Sequence, residues 1–273
     1  MALDEILEHL VETCGRDFRG NRPAMIERRL SRRLAVTGTG DFRNYLSRIR
    51  RDPEEADRAV AALTINISTF FRNRLTFEYL AAKTLPRLLK EKARSGDRCV
   101  RVWSAGCAGG EEAYSMAILL AELGEKEADA PEPIVFATDI DEQALASARE
   151  GVYPPERLAN VRFGLLNRFF SPHGRRFRVG AGIRRSVFFD TFDLLERERY
   201  APPESVFGGF DVVLCRNVLI YFDATYQEII FDKLHRSLAA GGHLVLGRSE
   251  VPAAEFRGRF VKVSENCPVY RKL

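Results

Sequence analysis

Residues 100–116 read VRVWSAGCAGGEEAYSM, and the rest of the chain is organised around this stretch. Its first residues alternate like a short buried strand, small residues follow at 104–110, and a helix is predicted to begin at Glu111. A strand, a tight glycine-rich turn and a helix form the first unit of a Rossmann-like nucleotide site. Glycines such as Gly106 allow backbone to approach a ligand closely, because they carry no Cβ. The stretch therefore predicts a ligand site at the turn.

The charge at the start of this helix narrows the kind of ligand. A helix N-terminus usually attracts an anion, but here Glu111 and Glu112 open the helix. Two carboxylates favour a ligand with an amino-bearing or positive end over a pyrophosphate. S-adenosylmethionine has an ammonium group, a sulfonium and a ribose, and no phosphate. The turn favours this cofactor, and a purely structural strand-to-helix turn is the alternative.

Length and composition limit the class of protein. A chain of 273 residues forms one large domain or two modest ones, and 45% hydrophobic residues supply a substantial core. No apolar run approaches the roughly 18 residues of a membrane span, and the acidic N-terminus has no signal-peptide pattern. The five cysteines form no CxxC pair, so no metal site is expected. We predict a cytoplasmic protein without membrane insertion.

Two segments concentrate positive charge, although the net charge is only +4. Residues 16–51 contain 11 arginines and 3 acids, and residues 157–189 contain 8 arginines and no acid. Such patches indicate an anionic partner, which can be nucleic acid, a membrane surface or an acidic protein face. Solvated helix faces are the alternative for each patch.

The first 65 or so residues are predicted to be all-helical. Apolar residues recur at helical spacing in residues 1–14 and 22–36, and further helices are predicted to start near Asp41 and Asp52. The helix at 22–36 has one apolar stripe, and five arginines crowd its remaining surface: Arg22, Arg28, Arg29, Arg32 and Arg33. Polar and aromatic side chains in the connection at 64–74 are typical of a ligand pocket. We expect a helical domain and linker over 1–74.

The second domain is predicted to cover residues 75–273. It opens with a helix from about 75 to 94, and strands and helices then alternate. Alternation indicates an α/β fold with a largely parallel sheet covered on both faces. Ligands bind such sheets at the carboxyl ends of the strands, where Asp139, Arg216 and Asn217 fall.

Residues 164–190 interrupt this alternation. Segments 177–179 and 186–189 both read as short strands, and a glycine-containing turn joins them. We predict a small antiparallel β-subdomain inserted at about 164–190, which carries much of the second basic segment.

Five blocks of sequence, taken together, support a resemblance over nearly the whole chain. The blocks are NISTFFR at 66–72, WSAGCAGGEEAYSM at 103–116, ATDID at 137–141, FDVVLCRNVLIYFD at 210–223 and GGHLVLGRSE at 241–250. The chain resembles the CheR-type chemotaxis methyltransferases, which transfer a methyl group from S-adenosylmethionine to glutamate side chains of chemoreceptors. The resemblance implies a helical N-terminal domain, a class I methyltransferase domain with an inserted β-subdomain, and S-adenosylhomocysteine as product.

The resemblance also implies roles for particular residues. Together with Gly106, the implied cofactor contacts are Asn66, Ser68, Arg72, Glu111, Asp139, Asp193, Leu194, Arg216 and Asn217. Glu111 matches the acid that holds the methionine amino group, and Asp139 matches the ribose acid. Arg72, Arg216 and Tyr221 are the implied catalytic residues: an arginine can bind the substrate carboxylate bidentately, and the tyrosine can donate to it or shield the methyl group.

The sequence departs from the family's pattern in three places, which involve four residues. Ser68 stands where threonine is usual and keeps the hydroxyl. Ala108 and Gly109 replace a common Ser-Thr pair and remove possible hydrogen bonds. Asp193 replaces asparagine, which removes two donors and adds charge, so this contact is the least supported.

Other function classes are compatible with parts of the sequence. An NAD-dependent oxidoreductase is disfavoured by the acid-opened helix and by the absence of a spaced GxGxxG. A nucleic-acid methyltransferase would use the basic segments, but the Asn/Asp-Pro-Pro-aromatic signature of amino-directed methylation is absent. A non-catalytic S-adenosylmethionine-binding regulator remains open.

The expected partners are methyl-accepting helices of chemoreceptors, docked by the basic helix at 22–36, with no nucleic acid. In part of the family the β-subdomain also binds a C-terminal tether peptide as an added strand. Here only Ser171, Pro172, His173 and Gly174 follow Phe170 before Arg175, Arg176 and Phe177. A short loop leaves little surface for a peptide, so we predict an enzyme that does not require the tether. We also expect the enzyme to be a monomer.

Overall fold

The computed structural model of the protein describes residues 2–14, 18, 20–63, 68–127, 129–205 and 209–273. The chain divides into two compact units. The first unit comprises Met1–Ile65 and Ile220–Tyr226, and the second comprises Asn66–Leu219 and Gln227–Leu273. No helix in the described ranges combines the length and apolar composition needed to cross a membrane.

The first unit is built from helices, as predicted. Its four helices are α1 (Ala2–Cys14), α2 (Pro23–Thr37), α3 (Phe42–Ile49) and α4 (Pro53–Leu63). The two aspartates at the predicted helix starts act as caps: the Asp41 carboxylate accepts from the Asn44 amide at 2.8 Å, and the Asp52 carboxylate accepts from the Glu55 amide at 3.1 Å. The apolar stripe of α2 is buried in the core of this unit.

The returning segment Ile220–Tyr226 belongs to the same unit. The Arg22 amide donates to the Tyr221 carbonyl at 2.8 Å, and Asn21 and Phe222 form an antiparallel bridge. The partly buried Tyr221 ring packs against the helical core. The N-terminal helices are therefore joined to a segment that lies far away in the sequence.

The second unit contains the remaining helices, apart from the first residues of the last one. They are α5 (Arg74–Tyr79), α6 (Leu85–Ser95), α7 (Glu111–Gly124), α8 (Glu142–Glu150), α9 (Phe163–Phe169), α10 (Ala181–Arg185) and α11 (Ala224–Ser237). The helix predicted at about 75–94 is present as a continuous helical stretch from Arg74 to Ser95, but a π-helical turn that was not predicted, Leu80–Thr84, lies between α5 and α6. Pro86 has no amide hydrogen and cannot donate to the carbonyl four residues earlier, which accounts for a wider turn at this point.

A seven-stranded sheet forms the centre of the second unit. In chain order its strands are β1 (Cys99–Ala105), β2 (Glu132–Asp139), β6 (Val187–Thr191), β7 (Phe210–Cys215), β8 (Leu238–Leu246), β9 (Phe260–Lys262) and β10 (Val269–Lys272). The spatial order is β6-β2-β1-β7-β8-β10-β9. The first five of these run parallel, and β10 and β9 form an antiparallel hairpin at the edge. This confirms the predicted α/β fold.

A separate three-stranded antiparallel sheet confirms the small β-subdomain. It consists of β3 (Val152–Tyr153), β5 (Arg176–Val179) and β4 (Phe170–His173), in that spatial order. The predicted bounds of 164–190 differ from this arrangement, because β6 pairs in parallel with β2 in the large sheet and β3 precedes residue 164. An alternation of apolar and polar residues indicates that one face of a strand is packed, but it does not indicate which strand is its neighbour.

Candidate active site

The glycine-rich turn connects β1 to α7 and is tied to the end of β2. The amides of Gly106 and Cys107 both donate to the Thr138 carbonyl, at 2.8 and 2.9 Å. Gly106 has φ +76°, and a Cβ at this position would come within 2.5 Å of Val218 Cγ2. Both the backbone angle and the close contact require glycine. The turn is therefore held rigidly at the carboxyl ends of the strands.

Asp139 ends β2 beside this turn. Its Oδ2 accepts from the Ala108 amide at 2.7 Å, and its Oδ1 accepts from the Asp141 amide at 3.0 Å. Burial raises the pKa of Asp139, and the two backbone hydrogen bonds offset this only in part. Because a carboxylate offers about four acceptor positions, capacity remains for ribose hydroxyls.

Glu111, the first residue of α7, is only 2% exposed. Its Oε1 lies 3.3 Å from an Arg157 guanidinium nitrogen, whereas its Oε2 is buried and has no hydrogen-bond partner among the described residues. A Cβ at Gly109 would come within 3.0 Å of this Oε2. Burial raises the pKa of Glu111. A buried carboxylate oxygen without a partner fits the amino group of S-adenosylmethionine.

Glu112 lies one residue further along α7 and has a different environment. Its Oε1 accepts from Ser104 Oγ at 2.7 Å, and its Oε2 accepts from the Arg216 guanidinium at 3.1 Å. Arg216 also donates to the Arg72 carbonyl at 2.7 Å and lies over the Phe77 ring. The Arg216 side chain is 1% exposed. Arg216 therefore holds neighbouring parts of the chain together.

The segment at 68–73 is held from several directions. The Phe70 amide donates to the Arg157 carbonyl at 3.0 Å, and the Phe71 amide donates to Ser115 Oγ at 2.9 Å. Arg157 also donates to the Ser68 carbonyl. Phe71 adopts left-handed backbone, φ +52°, which is unfavourable for this bulky residue, and Asn73 adopts the same conformation, which asparagine tolerates. Such strain persists where the surroundings determine the conformation, and here it flanks Arg72.

Asn217 follows β7 in a left-handed conformation, φ +61°. The Glu250 carboxylate accepts from the Asn217 amide at 2.9 Å and from the Gly247 amide at 2.6 Å. The side-chain Oδ1 of Asn217 is buried and has no hydrogen-bond partner in the part of the chain described. Like Glu111 Oε2, it is a buried acceptor that fits a donor on a ligand.

Family comparisons agree with this geometry. Residues 66–267 match the SAM binding domain of CheR methyltransferases, and residues 1–64 match their all-alpha domain. The chain belongs to the CheR methyltransferase family. It is an S-adenosylmethionine-dependent methyltransferase, and Glu111, Asp139 and Asn217 are the residues whose environments fit this cofactor.

Relatives of this CheR methyltransferase extend over most of the chain. Chemotaxis protein methyltransferase 2 of Pseudomonas aeruginosa is 37% identical over 251 residues, which cover 90% of this chain and 85% of that protein. A chemotaxis protein methyltransferase of Salmonella typhimurium is 38% identical, covering 83% of this chain and 75% of its own length. An uncharacterized 104.1 kDa protein of Rhodobacter capsulatus is 33% identical over 91% of this chain, which spans only 25% of that protein.

The loop after β6 carries the pair predicted near the adenine in this CheR methyltransferase. The Phe192 amide donates to the Asp139 carbonyl at 3.1 Å, so the loop starts beside the predicted ribose acid. Leu194 is buried, and the exposed Asp193 accepts from the Leu195 amide at 2.8 Å. At least one carboxylate oxygen of Asp193, which stands where asparagine is usual, therefore stabilises the turn at 193–195.

The structure gathers most predicted site residues in the second unit. The described ones are Ser68, Arg72, Gly106, Glu111, Asp139, Asp193, Leu194, Arg216 and Asn217. Tyr221 belongs to the first unit, and Asn66 lies outside the described residues.

Glu112, Arg157 and Glu250 also position groups of the site, a role that was not predicted for them from the sequence. The doubled acid after the glycine turn was a signal for the first of these. No local signal distinguished Arg157 from the surface arginines of the second basic segment.

Proposed function

We propose that this CheR methyltransferase transfers the methyl group of S-adenosylmethionine to glutamate side chains of chemoreceptors, as the enzyme of receptor adaptation. The observation that carries the cofactor assignment is the buried Glu111 Oε2, which has no partner among the described residues. The substrate assignment is supported by relatives named chemotaxis protein methyltransferases in Pseudomonas aeruginosa and Salmonella typhimurium.

The proposed reaction makes few chemical demands on the protein. When bound, the cofactor supplies a methyl group on a positively charged sulfur. A glutamate with a pKa of about 4.3 is already ionised at neutral pH, so no general base is needed. The enzyme has to align the carboxylate at about 3 Å and exclude water. In this proposal Glu111 and Asp139 hold the cofactor, and Arg72 orients the substrate carboxylate.

A labelling experiment tests the proposal. The enzyme is incubated with methyl-labelled S-adenosylmethionine and a receptor cytoplasmic fragment, with RNA, or with DNA. We expect label on the receptor that mild base releases, because methyl esters hydrolyse. Base-stable label, or label on nucleic acid alone, would contradict the proposal. No transfer to any acceptor despite cofactor binding would favour a non-catalytic regulator.

Arg72→Ala should lower kcat by about ten- to a hundredfold, since a hydrogen bond to a charged group contributes roughly 1.5–3 kcal/mol. Arg74→Ala is the matched control, because Arg74 is exposed and pairs with Glu78 on the same helix. Initial rates at saturating cofactor and receptor measure the effect. Near-normal turnover of Arg72→Ala would show that Arg72 is not a catalytic residue.

The catalytic role of Tyr221 also stays a prediction. Tyr221→Phe should lower turnover, and normal turnover of this variant would contradict the role.

We propose that helix α2 docks on the acidic methylation helices of the receptor, with a smaller set of arginines than the sequence predicted. Arg33 is bound bidentately by the buried Glu55 carboxylate, with the shortest contact at 2.6 Å. Arg29 donates to the Ala62 carbonyl at 2.7 Å. Arg28 and Arg32, one helical turn apart, are exposed. These two are the best candidates for contact with an acidic partner.

Receptor docking through α2 should weaken as salt increases, because the Debye length falls from about 10 Å at 0.1 M to about 3 Å at 1 M. Arg28→Glu with Arg32→Glu should raise the KM for receptor, and added salt should reduce the difference from wild type. Arg50→Glu with Arg51→Glu is the control, since these exposed residues of the same unit give the same charge change. If the KM for receptor changes neither with salt nor with the charge reversal in α2, then α2 is not the docking surface.

The second basic segment also contains fewer available arginines than its composition implied. Arg157, Arg162 and Arg168 pair with Glu111, Glu122 and Glu125. The other arginines of this segment have no carboxylate partner in the described ranges; they are Arg175, Arg176, Arg178, Arg184 and Arg185. We propose that these five face the acidic receptor body.

A tether peptide is not required in this proposal, because the turn between β4 and β5 contains only Gly174 and Arg175. Methylation of one receptor with and without its C-terminal tail checks this, and a large loss on removing the tail would contradict it. We also propose that the enzyme is a monomer, which sedimentation analysis tests.

A further inference from the structure

Lys233 lies on α11 and is almost fully buried, with 3% of its surface exposed. Its ammonium donates to the carbonyl oxygens of Glu196 and Arg199, each at 2.5 Å. Burial lowers the pKa of Lys233, although the nearby Glu196 and Asp193 charges oppose this. Burying an ammonium is costly unless it is well bonded, so its position requires an explanation beyond packing.

The ammonium also contacts an aromatic group that leads to the cofactor-binding edge of the sheet. Lys233 Nζ lies 4.5 Å from the centre of the Phe192 ring. Phe192 makes an edge contact with Trp103 on β1, with ring centres 5.8 Å apart. Trp103 in turn donates to Thr138 Oγ1 on β2 at 2.9 Å. Lys233 is thus linked through packed groups to both strands that bear the glycine turn and Asp139.

The backbone that Lys233 holds is the loop at 192–199. This loop leaves the carboxyl end of β6, and its first amide donates to the Asp139 carbonyl at 3.1 Å. It carries Leu194, which is buried, and Asp193, the pair assigned to the adenine end of the cofactor. Two carbonyls held by one ammonium fix the far end of the loop, and the Phe192 contact fixes its near end.

We propose that Lys233 is a positioning residue for S-adenosylmethionine: its ammonium fixes the loop at 192–199 and thereby places Leu194 against the adenine end. Lys233 does not touch the cofactor in this arrangement, and it acts through the loop backbone and Phe192. The proposal rests on the assignment of the Asp193–Leu194 pair to the adenine, and it does not depend on which acceptor receives the methyl group.

Lys233→Met tests this role, and Lys272→Met is a matched control. Lys272 also uses its ammonium to bind two carbonyls, those of His235 and Leu238, each at 2.7 Å, but it lies on β10. Trp103 is the single tryptophan of the chain and contacts Phe192, so its fluorescence can follow S-adenosylhomocysteine binding without any acceptor. Calorimetry gives an independent Kd.

We expect Lys233→Met to raise the Kd of S-adenosylhomocysteine and the KM of S-adenosylmethionine about five- to tenfold, with kcat at saturating cofactor within twofold of wild type. Lys272→Met should leave the Kd unchanged even where both variants lower the thermal midpoint. Phe192→Leu, which keeps the ammonium and removes the ring, should raise the Kd about two- to threefold, and it decides the question if Lys233→Met does not fold. Unchanged Kd values in Lys233→Met and Phe192→Leu, or an equal rise in Lys272→Met, would overturn the proposal.

Discussion

Replacing Glu112 with alanine should lower the free energy of unfolding by about 3–5 kcal/mol, because it leaves the Arg216 guanidinium buried without its ionised partner. The pair is 3.1 Å apart, and the Arg216 side chain is 1% exposed. Solvent therefore cannot replace the lost carboxylate. Chemical denaturation monitored by circular dichroism measures the change.

Glu78→Ala is the control for this prediction. Glu78 pairs with Arg74 at 2.6 Å, but both side chains are more than half exposed. A pair of this kind contributes about 0–1 kcal/mol, so the control should change stability little. An equally small change in Glu112→Ala would show that the buried pair adds nothing to the fold. Turnover of Glu112→Ala should fall as well, because Arg216 also binds the Arg72 carbonyl.

Replacing the neighbouring Glu111 with glutamine should weaken cofactor binding without lowering the stability of the fold, in contrast to Glu112→Ala. We expect binding of S-adenosylmethionine to weaken by about ten- to a hundredfold, since a hydrogen bond to a charged group contributes roughly 1.5–3 kcal/mol. The free energy of unfolding of the ligand-free protein at pH 7 should stay the same or rise. A neutral side chain avoids burying an ionised oxygen that has no partner in the described residues.

The pH dependence of stability checks the same assignment. Burial raises the pKa of Glu111 above its unfolded value. A raised carboxyl pKa contributes stability below the unfolded pKa, and that stability is lost as the pH rises through the folded pKa. Glu111→Gln should therefore remove part of the loss of ligand-free stability between acid and neutral pH.

Glu122→Gln is the control for the binding measurement, because Glu122 lies on the same helix and pairs with Arg162 near the surface. Calorimetric titration with S-adenosylhomocysteine compares the two variants. Wild-type affinity in Glu111→Gln, or an equal loss in Glu122→Gln, would contradict the role of Glu111. A large loss of stability in Glu111→Gln would contradict the argument from burial.

The sheet was predictable from the sequence because its signals are local. Apolar runs that end at Gly106 and Asp139 predict two buried strands, and they also predict the edge of the sheet at which a ligand binds. The insert at 164–190 was less predictable, since alternation in Val187–Thr191 does not show that this strand pairs with β2. The π-helical turn between α5 and α6 was not predicted, because Pro86 is acceptable in the first turn of a helix and thus gave no unambiguous signal.

The arginines show the same division between local and distant information. The sequence determined that α2 is amphipathic and basic, and its buried stripe agrees with this. It did not determine that Arg33 is occupied by Glu55, or that Arg157 is a partner of Glu111 in the site. Side-chain pairing depends on where the chain returns in space, and charge counts contain no such information.

By itself, the sequence determined the fold class and the family, and it predicted the place of the cofactor, because periodicity, glycines and strand-end acids are local properties. The resemblance implied Glu111 as the acid for the ligand, and only the tertiary structure showed how the environments of the two adjacent carboxylates differ. Glu112 is neutralised by Arg216, which lies 104 residues away in the sequence, whereas Glu111 keeps a buried oxygen without a partner among the described residues. The two glutamates are chemically identical, and their environments differ because Arg216, which follows strand β7, lies beside only one of them.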